Sequence, residues 1–219
     1  MRSQTDQPRS GWPLARRWTA GYGPAMSDQA PGPQDGRSQR DRMLAGELYI
    51  ADDPQLAADN QRALTLTSQF NASDPADPQA RLALLRELLG SVGEGTEIRP
   101  PLYCDYGYQT HVGARTFINF GVVLLDVATI RIGDDVQVGP NVQFLTPTHP
   151  VEAEVRRAKW EAAKPISVGD NVWLGGGVIV GPGVSIGENT VVGAGAVVVR
   201  DLPADVIAVG NPARVIRSL

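Results

Sequence analysis

His149 is the first residue to consider for chemistry, because the chain contains only two histidines. It lies in the run Thr146-Pro147-Thr148-His149-Pro150, at the start of the one long interruption, about residues 146–165, of an otherwise regular repeat. A histidine with a pKa near 6.5 can accept and return a proton at neutral pH, and loops on rigid scaffolds often carry sites. The sequence therefore makes His149 a candidate general base, with a surface histidine of no role as the alternative.

A cluster of arginines at the C-terminal end is the second candidate group. Arg200, Arg214 and Arg217 follow a stretch of repeats that carries few lysines or arginines. Guanidinium groups hold phosphates well, so this cluster is able to bind an anionic phosphorylated ligand. The alternative is a solvated basic tail. Cys104 is the only cysteine, which excludes an intramolecular disulfide, and without a neighbouring base motif it is interpreted as a small buried hydrophobe.

The element that must position these residues is a six-residue repeat over the last half of the chain. Apolar anchors, most of them followed by glycine, recur every six residues, with a two-residue slip before Ile132, and the 36 residues from Ile132 to Val168 keep the phase. A second apolar position follows most anchors by four residues. Hexapeptide repeats of this kind predict a parallel β-helix in which three hexapeptides form one coil. A β-sandwich is the alternative, but its strands alternate with period two. The anchors are Val112, Ile118, Leu124, Ile132, Val138, Phe144, Val168, Leu174, Val180, Ile186, Val192 and Val198.

The chain divides into three segments. Residues 1–40 are rich in Arg, Gln, Gly, Pro and Ser without an apolar face, and are expected to be a disordered extension or an upstream annotation artefact, with translation beginning near Met26 or Met43. Residues 41–92 are expected to be helical and to cap the N-terminal end of the β-helix at residues 93–219. Asp53-Pro54 and Asp77-Pro78 predict two helix starts. The apolar face of the first of these helices is expected to comprise Leu56, Ala63, Leu64 and Phe70.

Composition narrows the classes of partner. The net charge of −4 gives no case for nucleic acid or membrane binding, and no apolar run reaches the roughly 18 residues that span a bilayer. The first 40 residues have no apolar core typical of a secretory signal. A cytoplasmic protein is therefore expected.

Several motifs, in order, resemble the maltose and galactoside O-acetyltransferases, which are hexapeptide-repeat acetyltransferases. The resemblance covers residues 41–219. It is carried by Met43-Leu44-Ala45-Gly46-Glu47-Leu48-Tyr49, Cys104-Asp105-Tyr106-Gly107-Tyr108, Phe117-Ile118-Asn119-Phe120, Thr148-His149-Pro150, Asn171-Val172-Trp173-Leu174-Gly175 and Gly210-Asn211-Pro212-Ala213-Arg214. The resemblance implies a mainly β fold, a left-handed β-helix with an N-terminal helical cap. It also implies transfer of an acetyl group from acetyl-CoA to a sugar hydroxyl by direct attack, with no metal.

The resemblance also implies roles for particular residues. His149 becomes the general base, and the backbone N–H of Gly176, where relatives often have serine, becomes the oxyanion donor. Acceptor contacts are expected from Asp105, Asn119 and Asp126, with Trp173 beside the site; Asp105 and Asp126 are alternatively turn or ion-pair residues, and Asn119 is alternatively a structural residue in the left-handed region. Asp52 or Asp53 is expected to replace a family aspartate. The CoA site is expected to comprise Gly176, Ala194, Val199, Arg200, Arg214 and Arg217.

The resemblance further implies a homotrimer with sites between neighbouring subunits. Other acceptors remain open: galactosides, chitin oligomers as in nodulation-type enzymes, or antibiotics. A non-enzymatic β-helix scaffold is the alternative from another class. A γ-class carbonic anhydrase needs three zinc-binding histidines, and two histidines in one chain cannot supply them.

Overall fold

A computed structural model of the protein describes residues 36–219, so the predicted extension lies outside the described residues up to residue 35. Three helices come first: α1 (Gln39–Leu44), α2 (Pro54–Asn71) and α3 (Pro78–Leu88). The two predicted helix starts are confirmed, because the Asp53 carboxylate accepts hydrogen bonds from the N–H groups of Gln55 and Leu56, and Asp77 caps α3 in the same way. Proline occupies the first position of both helices, where no N–H is needed.

The rest of the chain coils into a β-helix with three flat faces of parallel strands, as the hexapeptide period predicts. The first face (face 1) contains β1 (Ser91–Val92), β4 (Thr110–Val112), β7 (Ile130–Ile132), β12 (Ile166–Val168) and β15 (Ser185–Ile186). The second face (face 2) contains β2 (Glu97–Ile98), β5 (Phe117–Ile118), β8 (Gln137–Val138), β13 (Trp173–Leu174), β16 (Val191–Val192), β18 (Val206–Val209) and an antiparallel last strand, β19 (Arg214–Ser218). The third face (face 3) contains β3 (Leu102–Cys104), β6 (Val122–Leu125), β9 (Gln143–Leu145), β14 (Ile179–Val180) and β17 (Val197–Val198).

The register between coils shows how many residues each coil uses. His111 pairs with Arg131, a step of 20 residues, because two extra residues occupy a corner. Ser167 pairs with Ser185, a step of 18, which is three hexapeptides. Arg131 pairs with Ser167, a step of 36, so the interrupted coil holds one extra coil's length of chain, 36 − 18 = 18 residues, and the phase is kept. The chain makes about six turns in all.

The core is continuous from the helices into the coils. All anchors from Val112 onward are buried, and so are most of the residues four positions after them, including Val136, Val142 and Val172. Phe70 and Leu88 of the helices belong to the same cluster of buried side chains, which confirms that the helical region covers the N-terminal end of the stack. Leu64 is an exception to the predicted helix face. It is 52 % exposed, because it follows the buried Ala63 by about 100° around α2 and therefore points away from the coils.

The interruption forms an arm that leaves the stack after β9 and returns to it at β12. A short antiparallel ribbon, β10 (Pro147–Thr148) with β11 (Ala162–Ala163), forms its base, and α4 (Ala153–Arg157) lies at its tip. Thr148 pairs with Ala162 in this ribbon. The arm therefore starts from the corner where the chain passes from face 3 to face 1.

Candidate active site

Most of the predicted site residues fall at two of the three corners of the β-helix, and the others lie on strands of face 2. The chain turns from face 2 to face 3 at one corner (corner 2–3) and from face 3 to face 1 at another (corner 3–1). Strand order alone decides the corner, because every residue that follows a face 2 strand lies at corner 2–3 and every residue that follows a face 3 strand lies at corner 3–1.

A groove of about 480 Å³ runs along face 2 and corner 2–3, across several coils. It contains Asn119, Gly176 and Ala194, each from a different coil, and Trp173 from strand β13. The Trp173 side chain is 56 % exposed and forms part of the wall. An exposed tryptophan in a groove offers a large rigid surface against which a ligand can pack.

Two backbone N–H groups of this groove have no hydrogen-bond acceptor among the described residues. The N–H groups on either side of Gly176 are used, since Gly175 donates to the carbonyl of Val192 and Gly177 donates to Pro140. Gly176 itself donates to nothing, and one coil further on Ala194 is in the same situation. Backbone donors that the fold leaves unpaired beside a groove are available to a ligand's carbonyl oxygen or to an oxyanion.

Two of the predicted cations lie at the C-terminal end of the same face. Arg217 pairs with Ile207 and Arg214 pairs with Val209 across the β18–β19 hairpin, which continues face 2 beyond the groove-lining strand β16. Both arginine residues are exposed. The groove therefore leads from Asn119 and Trp173 toward a positively charged end.

His149 lies at the other site-bearing corner. It follows β10 at the base of the arm, its side chain is 57 % exposed, and its Nε2 is 3.9 Å from Oε2 of Glu161. Asp105 follows β3 at the same corner, and burial, with smaller contributions from the Asp126 and Glu161 charges, raises its pKa to about 6. Val199 and Arg200 follow β17 at this corner, several coils further along.

Asp126 also lies at corner 3–1, but its side chain does not reach the surface of this chain, so its predicted contact with an acceptor stays a prediction. It is 0 % exposed. Its carboxylate accepts hydrogen bonds from the N–H of Tyr106 at 2.9 Å and from the Thr110 hydroxyl at 3.2 Å. Burial raises its pKa, and these hydrogen bonds oppose that rise. Asp126 thus fixes the turn that carries Asp105, in line with the alternative of a turn residue.

Two other predictions concern backbone and burial. Asn119 is not among the described residues with positive φ, so the left-handed role offered for it is wrong; Gly121, two residues later, takes that conformation with φ 73°. The Asn119 Oδ1 accepts a hydrogen bond from the N–H of Phe120.

Cys104 is buried, and its pKa rises to about 12 because of that burial, as expected of an inert core thiol. Asp53 is engaged as the helix cap, whereas Asp52 is exposed.

Sequence reasoning missed Glu161, which lies next to His149, and the contact of Tyr49 with Glu161. Glu161 stands beside the His149 imidazole, and Tyr49 exchanges two backbone hydrogen bonds with Glu161, at 2.9 and 3.0 Å. Glu161 is one of three glutamates in the arm, and only the pairing of the ribbon distinguishes it from Glu152 and Glu154.

Within one chain, the structure therefore brings together two separate groups of predicted residues. Corner 2–3 and face 2 collect Asn119, Trp173, Gly176, Ala194, Arg214 and Arg217. Corner 3–1 collects Asp105, Asp126, His149, Val199 and Arg200. Among residues 36–219, no group of three histidine, cysteine, aspartate or glutamate side chains is arranged to hold a metal ion. No helix in that range is long and apolar enough to cross a membrane.

Comparison with known proteins gives consistent results for both parts of the fold. Residues 42–93 match the model described as the maltose acetyltransferase hexapeptide capping motif, and residues 165–200 match the bacterial transferase hexapeptide model. Nodulation protein L of Rhizobium meliloti (strain 1021) is 45 % identical over 179 residues, which are 82 % of this chain and 98 % of that protein.

Two solved structures extend the similarity to the fold. A maltose O-acetyltransferase from Clostridium difficile 630 superimposes with a TM-score of 0.82 at 43 % identity, covering 84 % of this chain and 98 % of the other. A galactoside acetyltransferase in complex with coenzyme A gives a TM-score of 0.80 at 38 % identity, covering 83 % and 91 %.

Proposed function

Since the chain belongs to the hexapeptide-repeat acetyltransferase family that includes the maltose and galactoside O-acetyltransferases, we propose that it acetylates a sugar hydroxyl with acetyl-CoA. The acetyl group passes directly from the CoA sulfur to the acceptor oxygen. His149 is the general base, and the Gly176 N–H faces the oxyanion. Maltose or glucose is the acceptor type we favour.

The observation that carries this proposal is the pair of unpaired N–H groups at Gly176 and Ala194. They lie one coil apart along a groove, and Arg214 and Arg217 lie beyond the C-terminal end of that groove on the same face. An extended pantetheine arm has amide carbonyls for such donors, and its phosphorylated adenosine has anions for such arginines. In this arrangement the thioester lies near Gly176 and Trp173, and the phosphates lie at the C-terminal end.

The chemistry then needs a base on the acceptor side of the thioester. His149 takes the proton of the acceptor hydroxyl as its oxygen attacks the thioester carbonyl. The carbonyl oxygen becomes negative in the tetrahedral intermediate, where the Gly176 N–H donates to it. When the intermediate collapses, the C–S bond breaks and the proton on His149 passes to the CoA sulfur. Asp105 lies at the same corner as the base, where its carboxylate can accept a hydrogen bond from another acceptor hydroxyl.

One chain cannot make this site, because the base and the groove occupy different corners. We therefore propose a homotrimer in which corner 3–1 of one subunit meets corner 2–3 of the next. Face 3 lies between these two corners, so three subunits that pack face 3 around a common axis bring the corners together at all three interfaces. Such a head-to-tail contact closes into a ring of three. Val199 and Arg200 then approach the CoA from the same subunit as His149.

The outward residues of faces 1 and 3 support this arrangement. Those of face 3 are paired in one row and are mostly apolar: Tyr103, Val123, Gln143, Ile179 and Val197. The matching row on face 1 is polar throughout: Ser91, His111, Arg131, Ser167 and Ser185. A row of apolar side chains on one face of a soluble chain marks a contact surface, whereas the polar face suits solvent.

The proposal is tested by measuring CoA release from acetyl-CoA with glucose, maltose, galactosides, chitin oligomers, serine and chloramphenicol, with His149→Ala alongside. Turnover on a sugar that His149→Ala reduces by about 10² to 10⁴ supports the proposal, as for loss of a general base. Turnover confined to an antibiotic or to serine contradicts the sugar acceptor and keeps the acetyl transfer. A protein that binds no acetyl-CoA would instead be a scaffold of this fold.

A further inference from the structure

The two-stranded ribbon at the base of the arm places Glu161 directly opposite His149. Thr148 of β10 pairs with Ala162 of β11, and in an antiparallel pair the next residues outward also face each other. The next residues are His149 and Glu161, whose Nε2 and Oε2 atoms are 3.9 Å apart. The Glu161 side chain is 19 % exposed and the His149 side chain is 57 % exposed, so the carboxylate lies behind the ring.

Glu161 is held in place from its other side by the N-terminal region. Tyr49 and Glu161 donate backbone hydrogen bonds to each other's carbonyls, at 2.9 and 3.0 Å, which forms an isolated antiparallel bridge beside the ribbon. Tyr49 is 1 % exposed. Burial raises the pKa of its phenol, and the neighbouring Glu161 charge raises it further. Tyr49 therefore remains a neutral phenol beside the carboxylate and fixes the backbone from which the carboxylate projects.

The other charged groups near this pair do not neutralise Glu161. Asp105 and Tyr106 face it from corner 3–1, and their pKa values are raised by burial first and by its charge among other causes. Arg156 of the arm donates to the carbonyls of Pro150 and Val151. Among residues 36–219, His149 is the only basic side chain within 4.0 Å of the Glu161 carboxylate. The negative charge nearest to a protonated His149 is therefore the Glu161 carboxylate.

We propose that Glu161 is a positioning residue for the base: it orients the His149 ring and stabilises the imidazolium formed when His149 takes the acceptor proton. This inference rests on the proposed function. The proton resides on the imidazole while the C–O bond forms, and it leaves for the CoA sulfur when the C–S bond breaks. Glu161 exchanges no proton in these steps.

The test is Glu161→Gln, which keeps the shape of the side chain and removes its charge. The attraction between unit charges about 4 Å apart in a solvated setting corresponds to a factor of roughly ten in an equilibrium, so kcat is expected to fall about tenfold. The acidic limb of kcat/KM against pH is expected to move to lower pH, because the protonated base loses its opposite charge. Glu161→Asp retains the charge at a greater distance from His149, so its kcat is expected to lie between those of the wild type and of Glu161→Gln. Glu152→Gln, an equal charge change at an exposed position of the same arm, is the matched control.

The outcomes separate this inference from the proposed function. If Glu161→Gln raises the KM for the acceptor while the acidic limb stays in place, Glu161 contacts the acceptor and our inference is wrong. If the kcat and pH profile of Glu161→Gln match those of Glu152→Gln while His149→Ala is inactive, His149 remains the proposed base and Glu161 is not its positioning residue. If His149→Ala keeps full turnover, the proposed function itself fails. Acetyl-CoA binding and the unfolding temperature are measured on each variant to identify a folding defect. If Glu161→Gln does not fold, the comparison is made with Glu161→Asp instead.

Discussion

Mixing two inactive variants tests whether the active site is shared between subunits. His149→Ala removes the base at corner 3–1 and leaves corner 2–3 intact. Ala194→Trp fills the groove at corner 2–3 and leaves corner 3–1 intact; Ala194 is exposed, so the larger side chain has room outside the core. Each variant alone is expected to be nearly inactive.

The expected activity of the mixture follows from the geometry. In trimers formed at random from equal amounts, a site is complete when its His149 comes from an Ala194→Trp subunit and its groove comes from a His149→Ala subunit. Each condition holds for about half of the subunits, so about 25 % of the sites are complete for a head-to-tail ring. A site built within one chain would give no activity in the same mixture.

A second mixture gives an independent value. When wild type is combined with a chain that carries both substitutions, a shared site predicts about 25 % activity and a site within one chain predicts about 50 %. The assay is CoA release by the whole population of trimers after co-expression in equal amounts, with a different affinity tag on each chain so that the presence of mixed trimers is verified. Ala194→Ser is the control for the position. Mixed trimers with no activity from the first pair would refute the shared site.

Three further predictions concern individual residues. The pKa of Asp105 is raised to about 6, so its ionised form destabilises the folded state at neutral pH. Asp105→Asn is therefore expected to increase the free energy of unfolding at pH 8 by on the order of 2 kcal/mol, measured by denaturant unfolding, and this gain shrinks as the pH falls from about 6 to about 4. The same substitution is expected to raise the KM for the acceptor. Arg214→Ala is expected to weaken acetyl-CoA binding about tenfold, as measured by calorimetry. Because the side chain is exposed, the free energy of unfolding is expected to change by less than about 0.5 kcal/mol. An unchanged affinity would show that Arg214 does not contribute to the CoA site. Gly177→Ala is expected to lower the free energy of unfolding by about 1 kcal/mol, because Gly177 has a φ of 70°. Gly176 has no positive φ, so Gly176→Ala is expected to lower it by less. Equal losses would contradict the role of the positive φ at Gly177.

The coiled part of the fold was predictable because its period is strict. Each coil repeats the same two inward positions, so Val136 or Val172 can be placed in the core from spacing alone. The helix starts at Asp53 and Asp77 were predictable for a similar reason, since a cap and a following proline are local signals. Leu64 was misplaced because its hydrophobicity was given more weight than its angle around the helix.

The site was predictable by residue type and less so by arrangement. His149 and Gly176 were identified as separate residues, but their assignment to different corners depends on strand order, which the motifs do not contain. The burial of Asp126 depends on the hydrogen bonds of a neighbouring coil. Glu161 was missed because the pairing of the ribbon, which puts it opposite His149, is a property of the folded arm.

In the site that we propose, the 18 residues of extra chain in the interrupted coil make the half that carries His149 a separable unit. The register is the same before and after the arm, so the strands on both sides stack as they would if it were absent. A lineage can therefore gain, lose or lengthen this segment without any compensating change in the buried anchors. The donor groove, in contrast, is made of the coils themselves and changes only with them. Acceptor range and acetyl-CoA recognition are thus free to evolve at different rates in one chain.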